Sequence, residues 1–199
     1  MAGAKSALDP VWDGLTSQIC AGALFRLEEA KKAVRSDFAS RGMLNSSSWA
    51  IAEAKCAESE LQAAALEIAS AQRYLLARIH DVDQMPSSTW LGQRSLASLD
   101  NVVSKLRPAA DARSLAASRG LQNLSTADHV LKAFDTTSGR LRSEMIVVAD
   151  NTLAQVTSEL ARRFGPTPND WKSRLVAWGK IASGIAGFLA LAKWLFGLL

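Results

Sequence analysis

Residues 46–80 read SSSWAIAEAKCAESELQAAALEIASAQRYLLARIH, and their spacing decides the fold class. Ile51, Ala54, Leu61, Ala65, Ile68, Leu75 and Ile79 recur at intervals of three, four or their sum. That is the heptad-like seam of a helix packed against other helices. Glu58 and Gln72 occupy two positions of the same seam and interrupt its apolar character. Alanine fills much of the remainder; it favours helix and permits close helix approach. The helix is predicted to begin after Asn45-Ser46-Ser47-Ser48 and to run to about His80.

Upstream, Trp12, Leu15, Ile19, Leu27, Ala30, Val34 and Phe38 form a second stripe of helical period. Asp9-Pro10 is its predicted start, with Asp capping the free amides and Pro in the first helical position. Arg41-Gly42 is its predicted stop. Two long helices joined by a short Gly/Asn/Ser link imply an antiparallel hairpin.

Downstream, Asp81-Val-Asp-Gln-Met-Pro-Ser-Ser88 is the clearest internal break. A third helix carries Leu91, Leu96, Leu99, Val102, Val103 and Leu106, and Pro108 should kink or restart it. The stretch to Gly120 is helical by propensity but poor in large apolar residues. Ser125-Thr-Ala-Asp128 resembles a capping box, with Asp in place of Glu. The helix it opens carries Leu131, Phe134, Leu141, Met145, Val148, Val156 and Leu160. Thr136-Thr137-Ser138-Gly139 is a place for that helix to bend or split, and Gly165-Pro-Thr-Pro168 ends it. No stretch alternates with period two. The expected fold is all-α: an elongated bundle of four to five helices over residues 1–165, with antiparallel, coiled-coil-like packing.

A different kind of segment follows. Residues 166–174 form a basic linker, and 175–199, LVAWGKIASGIAGFLALAKWLFGLL, read as a transmembrane or membrane-inserting helix. At about 1.5 Å per residue this stretch can cross a hydrocarbon core of roughly 30 Å. Trp171, Trp178 and Trp194 suit the membrane interface, where amphipathic rings prefer to lie. Lys172 and Arg174 form the basic flank, and Lys180 can extend its ammonium back to the headgroups. Lys193 opposes insertion. A charge well inside the bilayer costs about 2.5–3.5 kcal/mol, while each leucine-like residue returns only about 0.3–0.6. At 100° per residue, Gly179, Ser183 and Gly187 share a face with Lys180 and Lys193, opposite the bulky apolar residues. Small residues spaced by four let two helices approach closely in lipid.

Charge divides the chain in the same way. Residues 166–199 hold four basic side chains (Lys172, Arg174, Lys180, Lys193) against Asp170, so they carry +3 of the net +4. The body is near neutral and has no basic stripe of the kind nucleic-acid binding needs. Cys20 and Cys56 form no CxxC pair or disulfide framework and read as small buried residues. The N-terminus lacks the apolar core of a signal peptide, so the body is expected in the cytoplasm.

Four of the six tryptophans (Trp12, Trp49, Trp90, Trp171) fall just inside predicted helix starts. Packing against those starts is the simpler account of them; lining one end of the bundle is the other. His80 beside Asp81 and Asp83 suits a solvated helix end, and His129 has no nucleophile at a recognisable spacing. No phosphate-binding loop, dinucleotide fingerprint, zinc-protease motif or nucleophile elbow occurs.

The expectation is therefore a non-enzymatic, tail-anchored, single-pass membrane protein, its cytoplasmic bundle mediating protein–protein interaction or self-association. Its partners would be a lipid membrane and a protein or second copy. No nucleic acid, small-molecule substrate, cofactor or metal is expected. Two alternatives stay open: a membrane-permeabilising effector whose 175–199 helix oligomerises, and a soluble scaffold whose tail is buried in a partner.

Overall fold

The computed structural model describes residues 2–79, 85–117 and 127–164. The elements are α1 (Ala2–Ser40), α2 (Ser47–Ala77), α3 (Ser88–Leu106), a 3₁₀ turn (Arg107–Ala110), α4 (Ala112–Ala117) and α5 (Ala127–Phe164). The described residues are helical with short connections and contain no strand, as the periodicity predicts. The chain divides into two compact units, Met1–Val156 and Thr157–Leu199. Of the second unit only residues 157–164, the last two turns of α5, are described; the helix packing belongs to the first. The predicted linker 166–174 and membrane helix 175–199 lie outside the described residues. Among the described residues no helix is long and apolar enough to cross a membrane.

Cross-helix pairs fix the topology. Arg26 pairs with Glu60 and Glu67, and Arg35 with Glu53, so α1 and α2 run antiparallel. Trp12 bonds Ser98 and Arg94 bonds Asp9, which sets α3 parallel to α1. Arg142 pairs with Asp100 and Arg107 with Asp135, so α5 returns antiparallel to α3. Successive long helices thus alternate in direction, the economical arrangement for short connections.

Local chemistry explains the boundaries. Ser46 and Ser87 each accept a hydrogen bond from the amide three residues on, Trp49 and Trp90 respectively, both at 3.2 Å. This satisfies an amide that the first turn leaves free. α1 ends where Gly42, at φ 68°, adopts the left-handed conformation. The amides of Gly42 and Met43 then return to the carbonyls of Ala39 and Phe38. Pro108 turns the chain into the 3₁₀ segment, and Asp111 restarts it as α4 by accepting from the amides of Arg113 and Ser114.

Three expectations need correction. α1 does not begin at Asp9-Pro10; it starts at Ala2 and carries Pro10 inside. Proline there removes one backbone bond and crowds the preceding turn. Tertiary contacts hold the segment nonetheless: Asp9 accepts from Nη2 of Arg94 at 2.5 Å, and Trp12 is buried. Residues 136–139 do not split α5. The hydroxyl of Thr136 donates back to the carbonyl of Lys132 at 2.8 Å and that of Thr137 donates across to Glu58, so neither competes for the backbone amides. Nor do the described tryptophans, Trp12, Trp49 and Trp90, all share one end of the bundle, the alternative to packing at helix starts. Trp12 and Trp90 meet edge-on, 6.5 Å apart, at one end. Trp49 is buried at the other end with Ala50 and Ala116, against Phe38 and Leu44.

α2 is the central element, and its buried face is wider than one seam. Ala54, Leu61, Ile68 and Leu75 lie along its middle. Ala50, Ala57, Ala64 and Ala71 flank them on the side of Glu53, Glu60 and Glu67, the α1-facing residues. Alanine there brings the two helix axes close. On the other flank lie Ile51, Glu58, Ala65, Gln72 and Ile79, where Glu58 and Gln72 meet α5.

Candidate functional site

Polar groups inside the bundle are its most informative chemistry, and α2 positions three of them. The carboxylate of Glu53 is fully buried. An isolated charge there would cost several kcal/mol. Arg35 of α1 meets it with two donors: Nε donates to Oε2 at 3.1 Å and Nη2 to Oε1. The fork matches the carboxylate geometry, and the arginine is 44% exposed, so its stem crosses from water to core. The hydrogen bond to Glu53 is the main reason the Arg35 guanidinium is raised above its ordinary pKa, against the opposing effect of burial. Cys56 lies one turn on, its thiol pushed up first by burial and then by Glu53. A thiol held protonated is a poor nucleophile.

The second group is Glu58, whose Oε1 accepts from the hydroxyl of Thr137 on α5 at 2.6 Å. Beside it a groove of about 320 Å³ is lined by Ile51, Lys55 and Glu58 of α2 and His129, Val130 and Ala133 of α5. No serine or cysteine is among its lining residues. The third is Gln72, fully buried. Its Nε2 donates to Oγ of Ser95 on α3 at 2.7 Å and lies 3.6 Å from Sδ of Met145 on α5. Ser95 in turn donates to the carbonyl of Leu91 at 2.7 Å. Oε1 of Gln72 has no partner among the described residues, and neither has the buried hydroxyl of Ser138.

At the Trp12 end, the indole Nε1 donates to Oγ of Ser98 at 3.1 Å. Arg94 lies over the Trp90 ring, 6.0 Å from its centroid, and reaches Asp9. Beyond, an open groove of about 420 Å³ between α1 and α3 holds Asp13, Thr16, Cys20 and Asn101. Among the described residues no three His, Cys, Asp or Glu side chains converge as a metal site would require.

The site residues predicted from the tail all lie outside the described residues: Gly179, Ser183 and Gly187, Lys172, Arg174, Lys180 and Lys193, and Trp171, Trp178 and Trp194. So do His80 and Ser125. His129 is exposed on the rim of the α2–α5 groove. Sequence reasoning flagged Glu58 and Gln72 as interruptions but missed Glu53 and its arginine. The available signal was an acidic heptad, Glu53, Glu60 and Glu67, opposite Arg26 and Arg35 on the preceding helix.

The class these features define is an all-helical bundle with polar groups set into an alanine-rich interior. No family model, curated protein or solved structure matches the chain.

Proposed function

We propose that this chain is a non-enzymatic membrane protein: residues 175–199 hold it in a bilayer, and the bundle serves protein interaction or self-association on the cytoplasmic face. The observation carrying this reading is the composition of 175–199, which holds no acidic residue and only two charges, Lys180 and Lys193, in 25 positions. The bundle contributes a supporting argument. Glu53, Glu58 and Gln72 pair α2 with its neighbours, an arrangement suited to a scaffold.

Lys193 selects between two membrane arrangements. In a single-pass anchor it reaches the far headgroups. In an oligomer, the face of Gly179, Ser183 and Gly187 packs closely and shelters it. Carbonate extraction of the full chain, beside a truncation ending at Arg163, tests the reading. Full-length protein retained in the pellet with truncated protein in the supernatant supports it; equal release of both overturns it. Vesicle leakage by the full chain, abolished by leucine at positions 179, 183 and 187, marks the permeabilising alternative.

A further inference from the structure

We propose that the bundle contains an opening seam: α5, from its start to Val156, parts from α2 and α3 while the α1–α2 hairpin stays closed. The two flanks of α2 carry the argument. On the α1 flank, the joint is made by a fully buried carboxylate gripped twice by Arg35, and by the Arg26 fork to Glu60 and Glu67. Glu60 is only 15% exposed. Alanines between these pairs keep the backbones close. Releasing α1 would break the two-donor Arg35–Glu53 bond and open the alanine row packed beside it, so this joint resists parting.

On the α5 side the ties are of another kind. Its ion pairs are Arg107–Asp135, Arg113–Asp128 and Arg142–Asp100, and every one of these six side chains is 45–63% exposed. Such pairs are screened by salt and hold little. Beneath them, the interface contains two buried polar atoms without a partner among the described residues, Oε1 of Gln72 and Oγ of Ser138. Both would gain hydrogen bonds to water when α5 lifts, which favours the open form. The hairpin side has one such atom, Nη2 of Arg26, on a guanidinium already paired twice and partly exposed. Grooves flank α5 on both sides, about 320 Å³ against α2 and 280 Å³ against α3. Opening along these grooves breaks only screened pairs and the Thr137–Glu58 bond besides uncovering Phe134, Leu141, Met145 and Ala149, as expected for a sub-global unfolding unit. The seam is a property of the bundle alone, whether or not residues 175–199 enter a bilayer.

Native-state hydrogen exchange of the full chain, read by mass spectrometry, tests it. Peptides from 130–150 are expected to exchange at least tenfold faster than those from 57–71 and 19–34. Raising NaCl from 50 to 500 mM should speed the α5 peptides several-fold and the hairpin peptides much less. Ser138→Ala removes a partnerless hydroxyl and should slow α5 exchange several-fold, beyond the change from Ser143→Ala, an exposed α5 control for helix propensity. Equal protection of α5 and the hairpin, an α5 rate indifferent to salt, or a Ser138→Ala effect no larger than the control would each overturn the proposal.

Discussion

The two flanks of α2 solve the same problem with different chemistry. Toward α1 it presents small residues and a row of carboxylates met by arginines, one pair partly buried and bidentate. Toward α5 it presents longer side chains, one threonine–glutamate bond and a glutamine satisfied at only one end. A buried charge with its full complement makes a joint costly to break, whereas a half-satisfied amide makes one cheap to open. Helix pairing therefore need not be uniform along a single element.

The largest effect should come from breaking the α1 joint. Arg35→Ala leaves Glu53 buried and unpaired and is expected to lower unfolding stability by about 3 kcal/mol, measured by urea denaturation. The double replacement Arg35→Met with Glu53→Leu should recover most of that loss. A double variant no better than Arg35→Ala would mean the packing of these side chains, not their charge, carries the joint.

Next, Ala64→Leu places three extra carbons in the close-approach row and should cost about 2 kcal/mol by forcing α1 and α2 apart. A neutral result would show that the alanine row does not set the helix spacing. On the other flank, Gln72→Leu removes the partnerless carbonyl, while Ser95 keeps its bond to Leu91. Stability should rise by up to about 1 kcal/mol. A clear loss would place Gln72 among the structural supports of the α5 joint.

The smallest effects belong to exposed pairs. Arg107→Ala should leave the urea midpoint almost unmoved, and less moved still in high salt. Hydrogen bonding holds two carboxyls below their usual range: Asp111 chiefly by the Ser114 hydroxyl, Asp135 chiefly by Arg107. Their folded values lie below their unfolded ones, so their contribution is complete above about pH 4 and is lost as pH falls through the folded values. Asp111→Asn should accordingly flatten the acid limb of a stability–pH profile slightly. An unaltered limb would show that Asp111 contributes nothing to it.

Much of the helix order is legible in the sequence because a helix facing a core must repeat its apolar residues at the helical period. The seam of α2, the Gly42 stop and the serine caps follow from such local rules. Pro10 shows where local rules end: its position inside α1 depends on Asp9 and Trp12 reaching α3, eighty or more residues away. Glu53 reads as a surface residue until α1 supplies Arg35, because burial of a charge is decided by its partner. Glu58 and Gln72 were visible as interruptions, but not which helix would answer them. The 175–199 segment is the opposite case. Its composition states a preference for apolar surroundings directly, and in the proposed reading lipid supplies them.

The most direct measurement of the central claim is flotation of the purified full chain with liposomes of neutral and anionic lipid, beside the truncation ending at Arg163. With no other protein present, a partner protein is removed as a cover for residues 175–199. The full chain is expected to float with the vesicles and to stay with them in high salt, leaving the truncation at the bottom of the gradient. A full chain that stays at the bottom with the truncation would contradict membrane attachment.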